Sequence, residues 1–160
     1  MLYLWRKHIV TGRGSIPADV LFIGEAPDAS DNLRGQAFVG ESGRVLDTLI
    51  EKVGIESYYM TNVVLCRPIN EFQGANREPT QEEVLACMDN VIKIISKVHP
   101  KIVVLLGKVA QKYYGREFPD AIHLQHPDFL SKQGGTRSPY YMTNLRILQE
   151  GYNALNTYIS

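Results

Sequence analysis

The sequence predicts an α/β protein, a three-layer α/β/α sandwich around a four-stranded, mainly parallel sheet. Three observations carry that expectation. Two short apolar runs, Val20-Leu21-Phe22-Ile23 and Ile102-Val103-Val104-Leu105-Leu106, are continuous rather than alternating, as strands buried on both faces are. Stretches with apolar residues at helical spacing alternate with the strand-like runs, which implies parallel strands joined by right-handed crossovers. Polar loops leave three of the strands, at the sheet edge where open α/β folds bind ligands.

Residues 1–18 are irregular, broken by Gly12, Gly14 and Pro17. Strand one spans about 19–24. A long polar loop follows, from Asp28 through Gly43, and carries one aromatic, Phe38. A loop of that length without structure of its own is more often functional than idle. Val45, Leu46, Leu49, Ile50 and Val53 then recur at helical spacing, and Gly54 is a plausible stop, so helix one runs roughly 42–53.

Residues 58–65 are rich in β-formers and read as strand two, ended by Cys66-Arg67-Pro68. Thr80-Gln81-Glu82-Glu83 is a capping box opening a helix with Val84, Leu85, Met88, Val91, Ile92, Ile95 and Val98 on one side. His99-Pro100 ends that helix, with His99 read as structural. Strand three is 102–106, and Gly107 allows a tight turn into a short helix, about 108–114. Residues 121–124, including His123, form a weaker strand four, followed by Gln125-His126-Pro127 and a polar loop to Arg137. Ser138-Pro139 pairs an N-cap with proline at the first helical position. The last helix carries Met142, Leu145, Leu148, Tyr152, Leu155 and Tyr158 as its apolar stripe.

At 160 residues and 18.0 kDa the chain is read as one domain, 1–160, large enough for a real core. Its 44% hydrophobic and 21% charged content is that of an ordinary globular protein, and no apolar run approaches the roughly 20 residues of a membrane span. The first residues lack a signal peptide's order of charge followed by apolar core, so a cytoplasmic protein is expected; a monomer is expected separately. A formal net charge of zero argues against a generic nucleic-acid binder, although a locally basic face suffices to engage phosphates. Cys66 and Cys87 give neither a disulfide framework nor, alone, a complete metal site.

The strand exits collect Glu25, Asp28, Asp31 and Phe38, then Asn62, then His126. Such a set suits a flat, hydrogen-bonding ligand such as a nucleobase. An amide can pair with a base edge, a phenyl ring can stack on its face, and an imidazole can stabilise a developing anion or position a water. Each residue also has a plain reading: Phe38 as a loop anchor, Asn62 as a strand-end cap, His126 as a turn residue. Their convergence favours function.

Gly24-Glu25-Ala26-Pro27, Gly35-Gln36-Ala37-Phe38-Val39-Gly40 and Ser42-Gly43 resemble, without a gap, the first motif of the uracil-DNA glycosylase superfamily, in particular its family-four, bacterial and phage-type branch. Thr61-Asn62-Val63-Val64-Leu65-Cys66-Arg67-Pro68 is similar to that branch's T-N-V-V-K-C-R-P, and His126-Pro127 to its second active-site motif. Asn76-Arg77-Glu78-Pro79 and Leu106-Gly107 also fall where the family has them. The resemblance covers roughly residues 10–135. It implies a glycosylase that flips uracil out of DNA and hydrolyses its N-glycosidic bond. Phe38 would stack on the base, Asn62 would read its O4 and N3 edge, and His126 would donate to O2. Glu25, with backbone near Ala26, would hold the base or the hydrolytic water. Ser42, Gly43 and Lys132 would lie at the DNA, with Phe129 or Leu130 as the wedge that fills the emptied stack. Arg137 and Arg146 are either phosphate contacts or scattered surface charge.

The departures from the family pattern lie close to the chemistry. Asp28 replaces glycine, as a water-activating base or as a turn residue. Asp31 replaces the glutamate that helps exclude the thymine methyl, and Asn32 replaces aspartate, so the pocket is expected to admit 5-substituted uracils. The family-four branch holds a 4Fe–4S cluster on four cysteines, two of them N-terminal. Cys66 and Cys87 match the second pair, residues 1–18 contain no cysteine, and even with His8 a ligand is missing, so no cofactor is expected. The resulting expectation is a uracil-DNA glycosylase of base-excision repair. Its rivals are a glycosylase for a modified or mismatched uracil and a catalytically weak DNA- or protein-binding module on the same fold.

Overall fold

The apolar runs at 20–23 and 102–106 become the two inner strands of a five-stranded sheet. The computed structural model describes residues 8–69, 74 and 76–159, the last two by backbone alone. Its strands are β1 (Arg13–Gly14), β2 (Val20–Gly24), β3 (Tyr58–Asn62), β4 (Ile102–Leu106) and β5 (Ile122–Leu124), in the order β1-β3-β2-β4-β5. Val20 pairs with Tyr58 on one side and Ile102 on the other, and Val104 pairs with Ile122, all parallel. Every residue of β2 and β4 is buried, which is why both read as unbroken apolar runs.

Two apolar layers cover the sheet. Phe22, Met60 and Val104 face a layer from α2 (Glu41–Val53), α5 (Pro127–Lys132) and α6 (Pro139–Ile159). Leu21, Ile23, Val103 and Leu105 face α3 (Gln81–Val98) and α4 (Gly107–Tyr114). The three-layer sandwich is therefore as expected, and its helix ends follow the expected chemistry. Gly54 closes α2 at φ 83°, Thr80 and Glu83 form a capping box on α3, and Ser138 Oγ accepts from the Tyr140 amide at 3.1 Å.

The differences have local causes. The sheet has a fifth strand because Arg13 and Gly14 pair antiparallel with Met60 and Tyr59, a two-residue strand too short to show alternation. Strand two ends at Asn62 rather than Leu65. The loop after β2 contains a short helix, α1 (Ala29–Arg34), capped by Asp28 and Asp31 and closed by Gly35 at φ 72°. The segment after His126, expected as loop, is α5, with Pro127 at its first position. On α3, Val84, Val91 and Val98 are buried while Leu85 and Ile92 are exposed, so the buried stripe is narrower than the apolar pattern. On α6 the buried residues include Tyr141 and Leu148, and Met142 faces outward; Tyr158 lies outside the described side chains.

Strand β2 has β3 on one flank and β4 on the other, so the winding of the chain reverses there. That reversal opens a crevice beyond the carboxyl ends of the strands.

Candidate active site

At that crevice a cavity of about 100 Å³ is lined by Glu25, Ala26, Pro27, Asp28, Asp31 and Phe38, with Ser42, Pro68, Asn76, Arg77, His126 and Asp128 completing its wall. The loop after β2, the segment after β3 and the start of α5 thus meet in one place.

Phe38 is buried and adopts φ 56°, a left-handed conformation that costs an L-residue roughly 1–3 kcal/mol. Several contacts hold it there. Arg13 donates through Nε to the Ala37 carbonyl at 3.0 Å and through Nη2 to the Phe38 carbonyl at 3.0 Å and to Asp47 Oδ1 at 2.9 Å. The Val39 amide donates to Asp31 Oδ1 at 3.0 Å. Gly43 packs so closely that a Cβ there would fall 1.7 Å from the Phe38 oxygen. The Phe38 ring lies across Gly24, where any side chain on β2 would collide with it and with the Asn62 amide.

Asn62, the last residue of β3, is 1% exposed, and neither its Oδ1 nor its Nδ2 has a hydrogen-bond partner among the described residues. Buried amides are normally paired, and an unpaired one is destabilising by about 1–3 kcal/mol. The amide sits beside the Phe38 ring over Gly24, beneath the cavity rather than on its surface.

His126 caps α5. Its Nδ1 accepts from the Asp128 amide at 3.1 Å, so a neutral ring carries its proton on Nε2, and that atom is buried without a partner among the described residues. Burial lowers the His126 pKa against the opposing pull of Asp128 and Asp28, which favours the neutral ring. The His126 and Phe38 ring centroids stand 6.4 Å apart.

The carboxylates divide by environment. Burial first, then Glu78 and Asp128, raise the pKa of Glu25 in the cavity wall. Asp28 and Asp31 have another task. Asp28 Oδ1 accepts from the Asp31 amide at 3.0 Å, and Asp31 Oδ2 accepts from the Asp28 amide at 3.3 Å. This reciprocal cap explains Asp28 as a helix-capping residue, the turn-like of its two expected roles, although it still lines the cavity.

Among the expected DNA contacts, Ser42 is half-buried in the cavity wall, and Gly43 is buried against Phe38, so it serves packing rather than the surface. Leu130 is fully buried in the core and does not present a wedge; Phe129 is half-buried at the surface, with its ring against Tyr140. Lys132 is exposed and paired with Asp128 at 2.9 Å. The sequence reading missed Arg13, whose partners are carbonyls 24 and 25 residues away and leave no local signature. It also missed the wall formed by Asn76 and Arg77, where Arg77 bridges the Ile69 carbonyl and Glu83.

Cys66 is buried and Cys87, on α3, half-buried; burial first, and the neighbouring Cys66 after it, push the Cys87 thiol up. A 4Fe–4S cluster needs four thiolates, these residues supply two, and no group of three or more His, Cys, Asp or Glu among the described residues could hold a metal ion. His8 is engaged elsewhere, its Nδ1 2.7 Å from the Asn32 carbonyl. The four-thiolate cluster therefore does not fit the residues present.

The model of the uracil DNA glycosylase superfamily matches residues 11–148. The type-4 uracil-DNA glycosylase of Archaeoglobus fulgidus is 36% identical over 114 residues, which is 70% of this chain and 55% of that protein. That of Saccharolobus solfataricus is 37% identical over 115 residues, 70% of this chain and 51% of its own length. That of Thermotoga maritima is 36% identical over 115 residues, 71% and 57% respectively. The chain thus spans about half the length of the curated relatives it matches.

Proposed function

The chain belongs to the uracil DNA glycosylase superfamily, and from that premise we propose that it hydrolyses the N-glycosidic bond of uracil in DNA. The observation that supports this most is the pair of buried, unpartnered groups around Phe38: the Asn62 amide and His126 Nε2–H. Uracil complements them. Its N3–H meets Oδ1 of Asn62, its O4 meets Nδ2, and its O2 accepts from His126. Each bond satisfies a group that is otherwise buried without a partner.

The chemistry follows from those placements. A base within a duplex is inaccessible, so the nucleotide is swung out and its ring slides onto Phe38, which gives way over Gly24 to expose Asn62. The C1′–N1 bond breaks with its electron pair passing to uracil, where charge gathers on O2 against His126 Nε2–H. A neutral imidazole donor is suited to this because it strengthens its bond as the anion forms, stabilising the transition state more than the ground state. A water oxygen bonds to C1′ while Glu25 accepts its proton. The charge of Asp28, fixed at the cap of α1, lies on the same wall and favours the cationic sugar.

Asp31 supports a broader base range as a second reading. Both of its oxygens are engaged by backbone amides, so its shorter side chain leaves the space beside C5 less guarded than a glutamate would.

Labelled single-stranded and duplex oligonucleotides containing uracil, thymine or 5-hydroxymethyluracil, treated with alkali after incubation, test the proposal. Cleavage at uracil that disappears in His126→Ala and Asn62→Ala is expected. Undiminished cleavage by those variants overturns the residue assignment. Folded protein that binds DNA and cleaves none of the substrates is a binding module instead.

A further inference from the structure

A second, larger concavity of about 810 Å³ opens beside the candidate active site and shares two of its walls, Glu25 and His126. It runs between the start of α4, at Lys108 and Gln111, the end of β5, and the outer faces of α5 and α6. Its lining is more apolar than polar and includes Phe129, Tyr140 and Ile147. Tyr140 is 47% exposed and Ile147 37% exposed, so both present apolar surface to solvent along the groove.

The Tyr140 ring has an aromatic neighbour on one side. It stands edge-on to Phe129, with centroids 5.2 Å apart and planes at 72°, and its backbone amide is held by Ser138 Oγ in the first turn of α6. Beneath it, Asn144 is buried and fully satisfied, bonding Gln125 twice and the Tyr140 carbonyl once. The groove floor is thus tied together by hydrogen bonds, and the Tyr140 side chain beside it is open to solvent.

Pyrimidine chemistry identifies what reaches it. In uracil, O2 adjoins N1, the atom that carries the sugar. If His126 holds O2 and Asn62 holds the opposite edge, the sugar and the neighbouring nucleotides leave the pocket on the His126 side. The groove begins there. We propose that it seats the nucleotide adjacent to uracil on the same single DNA strand, with its base stacked on Tyr140 and its phosphate toward the exposed Lys108. This inference rests on the uracil reading of the pocket. In a duplex the adjacent base stays stacked in the helix and cannot reach Tyr140, so the groove favours single-stranded substrate.

The test uses oligonucleotides in which the target is 2′-fluoro-2′-deoxyuridine, which resists hydrolysis, and 2-aminopurine is placed one residue to its 5′ or its 3′ side. Wild-type protein is expected to quench fluorescence at one of the two positions. The quench should be lost in Tyr140→Leu and kept in Tyr140→Phe. With cleavable substrate, kcat/KM should fall about tenfold in Tyr140→Leu, toward the low end of what stacking one base is worth. Absence of quenching at both positions, or quenching unchanged in Tyr140→Leu, overturns the assignment. Because the analogue is not cleaved, quenching by a protein that fails to excise uracil would uphold the groove while the glycosylase reading fell, whereas excision without quenching would do the reverse.

Discussion

Arg13 Nη2 lies 3.0 Å from the carbonyl oxygen of Phe38, so an arginine on the shortest edge strand holds the backbone of the proposed stacking residue. The same guanidinium reaches the Ala37 carbonyl and Asp47. Phe38 needs such restraint because its φ of 56° is unfavourable for a residue with a side chain. A link thus runs from β1, through the loop after β2, to the floor of the pocket.

Arg13→Gln is expected to lower kcat/KM for uracil excision about tenfold by letting Phe38 relax, a misplacement of the kind that weakens catalysis without touching the reacting atoms. If Arg13 acts through Phe38, the substitution has no further effect in a Phe38→Ala background. A double-mutant cycle reads this directly, and additive losses would assign Arg13 a separate role.

Asn62→Leu separates stability from activity. It replaces a buried amide with two unpartnered atoms by an apolar group of similar shape. Removing that desolvation penalty, about 1–3 kcal/mol, should raise Tm by roughly 3–8 °C for a chain of this size. Excision of uracil should fall at least about a hundredfold, the scale seen when a preorganised donor is lost. Thermal denaturation and an excision assay on one preparation check both, and a lowered Tm would show that the amide has a partner in the free protein.

The two central strands and the main helices were legible because burial on both faces of β2 and β4, or on one face of a helix, writes itself into periodicity and capping. Phe38, Asn62 and His126 were legible as residue types at strand exits. What lay hidden was long-range or very short. Arg13 binds carbonyls far along the chain, β1 is only two residues, and the Asp28–Asp31 cap looked like chemistry because a carboxylate at a helix start and a carboxylate at an active site are the same letter. Leu130 and Phe129 are adjacent, and only the direction in which α5 packs distinguishes the core residue from the surface one.

Glu25 predicts the acid limb of the pH profile. Its pKa is raised by burial and by Glu78 and Asp128, and a base must be ionised, so activity should be lost at a pH above the ordinary glutamate value of about 4.3. Glu78→Gln removes one of the raising charges and should move the limb to lower pH. The stability sign is the opposite of the salt-bridged case. The folded protein binds the Glu25 proton more tightly than the unfolded chain, so this contribution to stability declines as pH rises from the ordinary value through the raised one. Glu25→Gln should therefore be more stable than the parent at pH 7, with the difference shrinking in acid. Paired kcat/KM and Tm measurements across pH check both signs, and a limb unmoved in Glu78→Gln would detach Glu25 from it.

Asp31 is the residue through which structure and base choice meet. Its two oxygens accept from the Val39 and Asp28 amides at 3.0 and 3.3 Å, and it is 4% exposed. Asp31→Asn replaces one acceptor with a donor, leaving a backbone N–H facing an NH₂ group, and should be destabilising by about 1–3 kcal/mol, or roughly 3–8 °C in Tm. Asp31→Glu keeps the charge and lengthens the side chain toward the cavity that residue 31 already lines. If reach at this position guards C5, the longer carboxylate should lower excision of 5-hydroxymethyluracil relative to uracil by about tenfold, since a steric clash of one small group is worth on that order. Competition between the two bases in otherwise identical oligonucleotides measures the ratio. An unchanged ratio, in a variant that still excises uracil, would move discrimination from Asp31 to the other side chains around the ring.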